Sequence, residues 1–175
     1  MTETDTHDRL TVEDITDGDL LFIDDSHFSS ENVCIVTGAA SGIGRATAIA
    51  ASANNLAVLA TDVNGDGLAE TAEKADEIDG DGELTRVVAD LTDDSDLDQI
   101  VENAAKVGTV RYLANVAGFQ HIDAVEDFPM QTYDQMHNVM LRAPLALSKR
   151  TVSHIRETDD GVGAEVAVEE RERPV

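Results

Sequence analysis

The sequence predicts an α/β fold built on a doubly wound parallel sheet, and three observations predict it. Short apolar, β-branched runs recur at 33–36, 56–61, 84–89 and 110–114. The segments between them carry apolar residues at helical spacing, and a glycine cluster, "TGAASGIG" at Thr37 to Gly44, joins the first run to the first helical pattern. Runs of this length bounded by turn residues read as buried strands. Strands that alternate with helices pair in parallel, because a parallel neighbour is reached only through a crossover, and that crossover is right-handed.

The elements follow in chain order. Residues 1–31 form an acidic arm rich in Asp, Thr and Ser, with one apolar island, Leu20 to Ile23, that either pairs as an edge strand or packs on the domain. The rest of the arm is too polar to bury itself and is expected to be solvated. "VCIV" (33–36) is the first strand, and Arg45 to Ala53 carries small apolar residues at helical spacing. After the second strand (56–61), Leu68, Ala72, Ala75 and Ile78 share one side of a second helix. The third strand (84–89) leads to Thr92 and Asp93, which are helix-start signals, and then to Leu97, Ile100, Val101, Ala104 and Val107 on one face. The fourth strand (110–114) precedes a long helical pattern over 131–157. Pro144 lacks an amide donor and should kink or break that helix near Ala143. Residues 161–175 form a divergent polar tail with one weak alternating run. The chain is therefore read as a single domain over 32–160, of a size that supports one core.

Composition narrows the function. There are 36 acidic residues against 12 basic ones, a formal charge of −24, and only three lysines. Such a surface repels phosphate backbones and anionic headgroups, so neither nucleic acid nor membrane is an expected partner. The same balance marks a halophilic, acidic protein in which concentrated cations screen internal repulsion. Cys34 is the sole cysteine, so no internal disulfide forms and the thiol is expected to pack in the core. With no 18-residue apolar stretch and no basic, apolar leader, the expected location is the cytoplasm. His7, His27, His121, His137 and His154 show no metal-ligand spacing, and no metal is expected.

The glycine cluster carries the chemistry. It opens a helix directly after a strand, where free amides and the positive end of the helix dipole can hold a pyrophosphate. Gly38 can adopt backbone angles closed to other residues, Gly42 allows close approach of a phosphate, and Gly44 lets the helix pack on the strand. The spacing, G-x-x-x-G-x-G, is one residue longer between its first two glycines than the common dinucleotide fingerprint. Asp62 ends the second strand eighteen residues after Gly44, where a carboxylate accepts hydrogen bonds from an adenosine ribose. A carboxylate there repels a 2′-phosphate, which favours NAD over NADP. No G-K-[ST] follows the glycines, which excludes a P-loop nucleotidase.

Three motifs in order then resemble the short-chain dehydrogenase/reductase family: "TGAASGIG", "DL" at Asp90 and Leu91, and "NVAG" at Asn115 to Gly118. The resemblance covers about Asn32 to Asp160 and argues against a methyltransferase on the same kind of sheet. It implies a Rossmann-like fold, incomplete at its C-terminal side. It also implies that Ser41 and Ile43 line the phosphate loop, that Asp90 and Leu91 lie by the adenine, and that Asn115, Ala117 and Gly118 border the cofactor. Val116 stands where the family more often has a second Asn. Within the family, "AGFQHIDAVEDFP" (117–129) is similar to 3-hydroxybutyrate dehydrogenases, which implies that Gln120 binds the carboxylate of a small hydroxy acid with His121 nearby. The implied substrate is a small-molecule hydroxy acid or its ketone.

The family transfers hydride with a Tyr acid/base, a Lys four residues later that lowers its pKa, and a Ser that orients the substrate oxygen. Tyr and Lys one helical turn apart share a face, so the ammonium favours the phenolate. Here the only tyrosines are Tyr112, with Val116 four residues on, and Tyr133, with His137 four residues on. No serine follows Ser153 and no lysine follows Lys149. The family's helical Asn aligns with Met140, two positions from Asn138. No catalytic residue is assigned. The expectation is an NAD-binding portion of a truncated dehydrogenase, without turnover of its own. The alternative is a catalytically silent dinucleotide-binding or subunit-pairing module, associating as a homo-oligomer or with a full-length relative through an exposed sheet edge.

Overall fold

The computed structural model describes residues 15–157. Four parallel strands, β1 (Asn32–Thr37), β2 (Ala57–Asp62), β3 (Leu84–Val88) and β4 (Thr109–Ala114), form one sheet in the order β3-β2-β1-β4. The helices are α1 (Gly42–Ala53), α2 (Gly65–Asp76), α3 (Asp94–Val107), α4 (Met130–His137) and α5 (Ala143–Arg156). Val33 lies opposite Ala57 on one side and Val110 on the other, and Ile35 lies opposite Leu59 and Leu113.

Side chains alternate across a strand, so one run of apolar residues feeds two cores. Val33 and Ile35 of β1 join Leu59, Leu97, Ile100, Ala104 and Leu147 in the layer covered by α3 and α5. Cys34 and Val36 join Val58, Ala60, Ala48 and Leu68 beneath α1 and α2. Burial pushes the Cys34 thiol up to about 12, so it packs as a protonated, apolar group. Asn64 and Asp93 start α2 and α3 by accepting hydrogen bonds from the amides of Gly67 and Ser95, respectively. The third-helix signal thus resolves onto Asp93, while Thr92 bonds the Asp90 side chain instead.

One alternative is excluded and one expectation is refined. Leu20–Ile23 does not form an edge strand: Asn54, at the end of α1, accepts from the Ile23 amide at 2.7 Å and donates to the Leu21 carbonyl at 3.0 Å. That tie holds the backbone while Leu21, Phe22 and Ile23 stay exposed. The long helix breaks where expected, with α5 starting at Ala143. It contains a π turn, Asn138–Arg142, closed by a bond from the Ala143 amide to the Asn138 carbonyl. Pro144 cannot donate to the Met140 carbonyl one turn back, and the widened turn accommodates the missing bond.

The acidic residues 1–14 and the polar tail at 161–175 lie outside the described residues. Among the described residues, no helix is long and apolar enough to cross a membrane.

Candidate functional site

From β1 the chain winds outward to β2 and β3, then returns to the far side of β1 as β4. The loops leaving β1 and β4 therefore diverge, and the crevice between their carboxyl ends is where doubly wound sheets bind ligands. A cleft of about 520 Å³ sits there, within the usual range for small-molecule sites. Its lining includes Gly38, Ser41, Gly42, Ile43 and Gly44 from the first loop, Asp62 from β2, Asp90 and Leu91 after β3, and Ala117 and Gly118 after β4.

Backbone geometry makes the first loop. Gly38 has φ +70°, and a Cβ on it would lie 2.7 Å from the Ala117 Cα, so only glycine allows the two loops to touch. A Cβ on Gly44 would collide with the Gly38 carbonyl, which is what lets α1 begin tight against the turn. Ser41 is extended and its side chain makes no capping bond. The first amides of an α-helix have no intrahelical acceptor, so the start of α1 presents donors and a positive dipole end to the cleft.

A hydroxyl ties the two loops together. Thr37 Oγ1 accepts from the amides of Val116 (3.0 Å) and Ala117 (3.1 Å) and donates to the Ala114 carbonyl at 3.4 Å. At the other end, Asp62 accepts from the Ala40 amide at 3.2 Å and the Asn64 amide at 3.0 Å. These bonds hold its carboxylate at the cleft wall. Arg45, the nearest cation in sequence to the glycines, is engaged elsewhere: both terminal nitrogens donate to Glu70 at 2.8 Å and one also to the Ala40 carbonyl at 2.6 Å. Asp90 accepts from the Thr92 amide and hydroxyl, both at 2.8 Å.

Five further lining residues have no cofactor role in the sequence reading: Val63, Ala89, Val116, Phe119 and Val139. Val116 lies inside the "NVAG" motif, and Val63, Ala89 and Phe119 are neighbours that extending each motif by one would find. Val139 could not be found this way, because its place depends on the π turn. Asn115, Gln120 and His121 are absent from the lining. Asn115 and Gln120 are exposed. The His121 ring sits edge-on to Phe128 with centroids 5.3 Å apart, and its Nε2 lies 3.7 Å from Asp123. Tyr112 packs on Phe28 and Tyr133 on His137, and neither lines the cleft.

The arrangement fits a nicotinamide dinucleotide. Helix-start amides face one region, a fixed carboxylate another, and apolar walls lie between. A Cβ at Gly42 would meet nothing within 4 Å, so the loop is open where a phosphate would approach.

Comparisons with known proteins agree with this geometry. Residues 32–168 match the short chain dehydrogenase family, a match that runs past Asp160, where the motifs alone end the resemblance. The chain is 32% identical over 120 residues to the uncharacterized oxidoreductase YxjF of Bacillus subtilis, covering 68% of this chain and 46% of that protein. It is 32% identical over 117 residues to dehydrogenase/reductase SDR family member 6 of Danio rerio, covering 67% and 44%. It thus spans about half the length of the curated relatives it matches. Among solved structures, L-sorbose reductase from Gluconobacter frateurii, complexed with NADPH and L-sorbose, superposes with a TM-score of 0.67 at 22% identity. That alignment covers 73% of this chain and 49% of the other. Hydroxysteroid dehydrogenase from Escherichia coli gives 0.66 at 23% identity, with 73% and 54% covered. The chain belongs to the short-chain dehydrogenase family.

Proposed function

We propose that this chain binds NAD(H) in the cleft and does not, by itself, transfer hydride. The single observation that carries the reading is the pairing of an open glycine turn at the start of α1 with the amide-anchored carboxylate of Asp62 in one cleft. Gly38, Ser41, Gly42, Ile43 and Gly44 cradle the pyrophosphate, Asp62 accepts from the adenosine ribose, and Asp90 and Leu91 flank the adenine. Ala117 and Gly118 border the cofactor, and Asn115, beside them in the motif but outside the lining, is proposed to do so by the family resemblance alone. Asp62 opposes a 2′-phosphate, and Arg45, held by Glu70, is not placed to attract one. Both support NAD over NADP.

Turnover is not expected because none of the 175 residues supplies a Tyr with a Lys four positions later. The assignment of Gln120 and His121 to a small hydroxy acid such as 3-hydroxybutyrate rests on that residue pair alone. The arm at 1–31, the domain at 32–160 and the tail at 161–175 are proposed as its units, in a halophilic cytoplasmic protein.

Calorimetry of the full chain in concentrated KCl tests the reading. Heat is expected with NADH and much less with NADPH. Asp62→Ala should weaken NADH by about 1–3 kcal/mol, the usual value of bonds to a charged acceptor, and narrow the preference. No heat with either coenzyme overturns the proposal, and NADH formation from 3-hydroxybutyrate overturns its inactivity.

A second reading, a subunit-pairing module, is favoured by Met130, Leu141 and Leu145, exposed along α4, the π turn and α5. Light scattering in the same buffer would show a stable oligomer.

A further inference from the structure

The π turn touches the cleft on one side and an ion-pair network on the other. Val139 lines the cleft, and a methyl group built on Gly118 would meet Met140 Cε at 3.6 Å, so the Met140 side chain lies beside that glycine. Arg142 Nη2 donates to Asp94 Oδ2 at 2.6 Å. The second oxygen of Asp94 accepts from Arg150 Nη2 at 3.1 Å, and Arg150 Nε donates to Asp98 at 2.6 Å.

We propose that the Arg142–Asp94 pair, reinforced by Arg150, braces the wall of the dinucleotide cleft, making Arg142 a positioning residue for nucleotide binding. The inference rests on the NAD(H) reading of the cleft.

The argument is mechanical. Asp94 is the first residue of α3, three positions after Leu91 on the cleft floor. The floor is coupled to this helix start, since the Asp90 amide donates to Asp96 at 2.7 Å and Asp93 caps the first turn. The opposite wall hangs on the π turn, none of whose five residues is buried. Ala143 and Leu147 anchor α5 in the core, but they lie beyond the widened turn and leave Val139 and Met140 without apolar support of that kind. Arg142 is the side chain of the turn that reaches α3, so its pair with Asp94, beside the Arg150 pairs from α5, joins the π turn to the helix that follows Leu91. In a chain with 36 acidic and 12 basic residues, two arginines converge on this one aspartate.

The test uses the full chain with Arg142→Gln, Asp94→Asn, the double variant and Arg142→Lys. NADH affinity is measured by calorimetry, and hydrogen exchange is followed in nucleotide-free protein. Each single variant should weaken NADH roughly two- to fivefold, the range of a partly exposed pair. The double variant should be no weaker than the worse single, and Arg142→Lys should recover part of the loss. Exchange should quicken over 138–143 while β1 and β2 keep their protection. Unchanged affinity with quickened exchange, additive losses, or unchanged exchange over 138–143 would each overturn the brace. If the unmodified chain binds no NADH, the cleft reading fails by itself, and the brace fails with it as a nucleotide-positioning device.

Discussion

Thr37 shows how much one hydroxyl can decide. Its oxygen takes two amides from the loop after β4 while Gly38, the next residue, leaves room for Ala117 to touch the first loop. The two hydrogen bonds could not be replaced by burial, because amides shed from water must find an acceptor. Thr37→Val keeps the side chain's shape and deletes the acceptor for both Val116 and Ala117. Leaving partly buried donors unpaired costs about 1–3 kcal/mol each, although two donors sharing one lost partner will not add fully. The expected outcome is a loss of about 2 kcal/mol in denaturant unfolding with a larger proportional loss of NADH affinity, since the cleft wall loosens first. Equal stability in the two proteins would show that water replaces the hydroxyl. Thr37→Ser keeps the oxygen and should stay close to the parent in both measurements.

At the scale of elements, much of the fold was legible because strands and helices here obey their own periods. All four strands fall within one or two residues of the apolar runs, and Asp93 and the glycine turn mark helix starts for reasons that lie in adjacent residues. Ten of the eleven residues that the sequence named as cofactor contacts line one cleft, and Asn115 does not. What the sequence could not show depends on contacts distant in the chain. Leu20–Ile23 looks like a strand by composition, yet Asn54 satisfies its backbone and no strand edge receives it. Val139 enters the cleft from the π turn, a rotation that no periodicity encodes and that we attribute to the missing amide of Pro144. Pro144→Ala tests that cause. It restores an amide to reach the Met140 carbonyl and allows the turn to close into an ordinary helix with one more backbone bond. Unfolding should therefore shift to higher denaturant, and NADH affinity should fall as Val139 rotates out of the wall. Opposite signs in the two measurements identify the rearrangement; a fall in both would mean that the proline is needed to hold the fold.

For the whole molecule, the charge of −24 acts against the local ion pairs, and pH and salt separate the two effects. Arg142 and then Arg150 beside Asp94 hold its carboxyl below the usual carboxylate range, and the Ser95 hydroxyl and amide do the same for Asp93. Because these folded-state values are depressed, the stabilisation they carry is complete above the unfolded value, near 4. It disappears as pH falls through the lower folded values. Repulsion among 36 carboxylates has the opposite sense, since protonating any of them relieves it. In dilute buffer the Debye length is about 30 Å at 0.01 M, so the repulsion spans the molecule. Lowering the pH from 7 toward 5 should then raise the thermal midpoint, before it drops below about pH 4 as the paired aspartates protonate. At 1 M KCl the Debye length is about 3 Å. There the neutral-pH midpoint should rise by more than roughly 4 °C, about 1 kcal/mol for a chain of this size, and the maximum near pH 5 should flatten. The acid drop should remain, because hydrogen-bonded contacts at 2.6–3.1 Å leave no room for a screening ion between the partners. Differential scanning calorimetry at pH 3 to 8 in both buffers measures all three features. A midpoint at pH 7 that ignores KCl would remove the case for salt adaptation and leave the acidic surface without a role in stability.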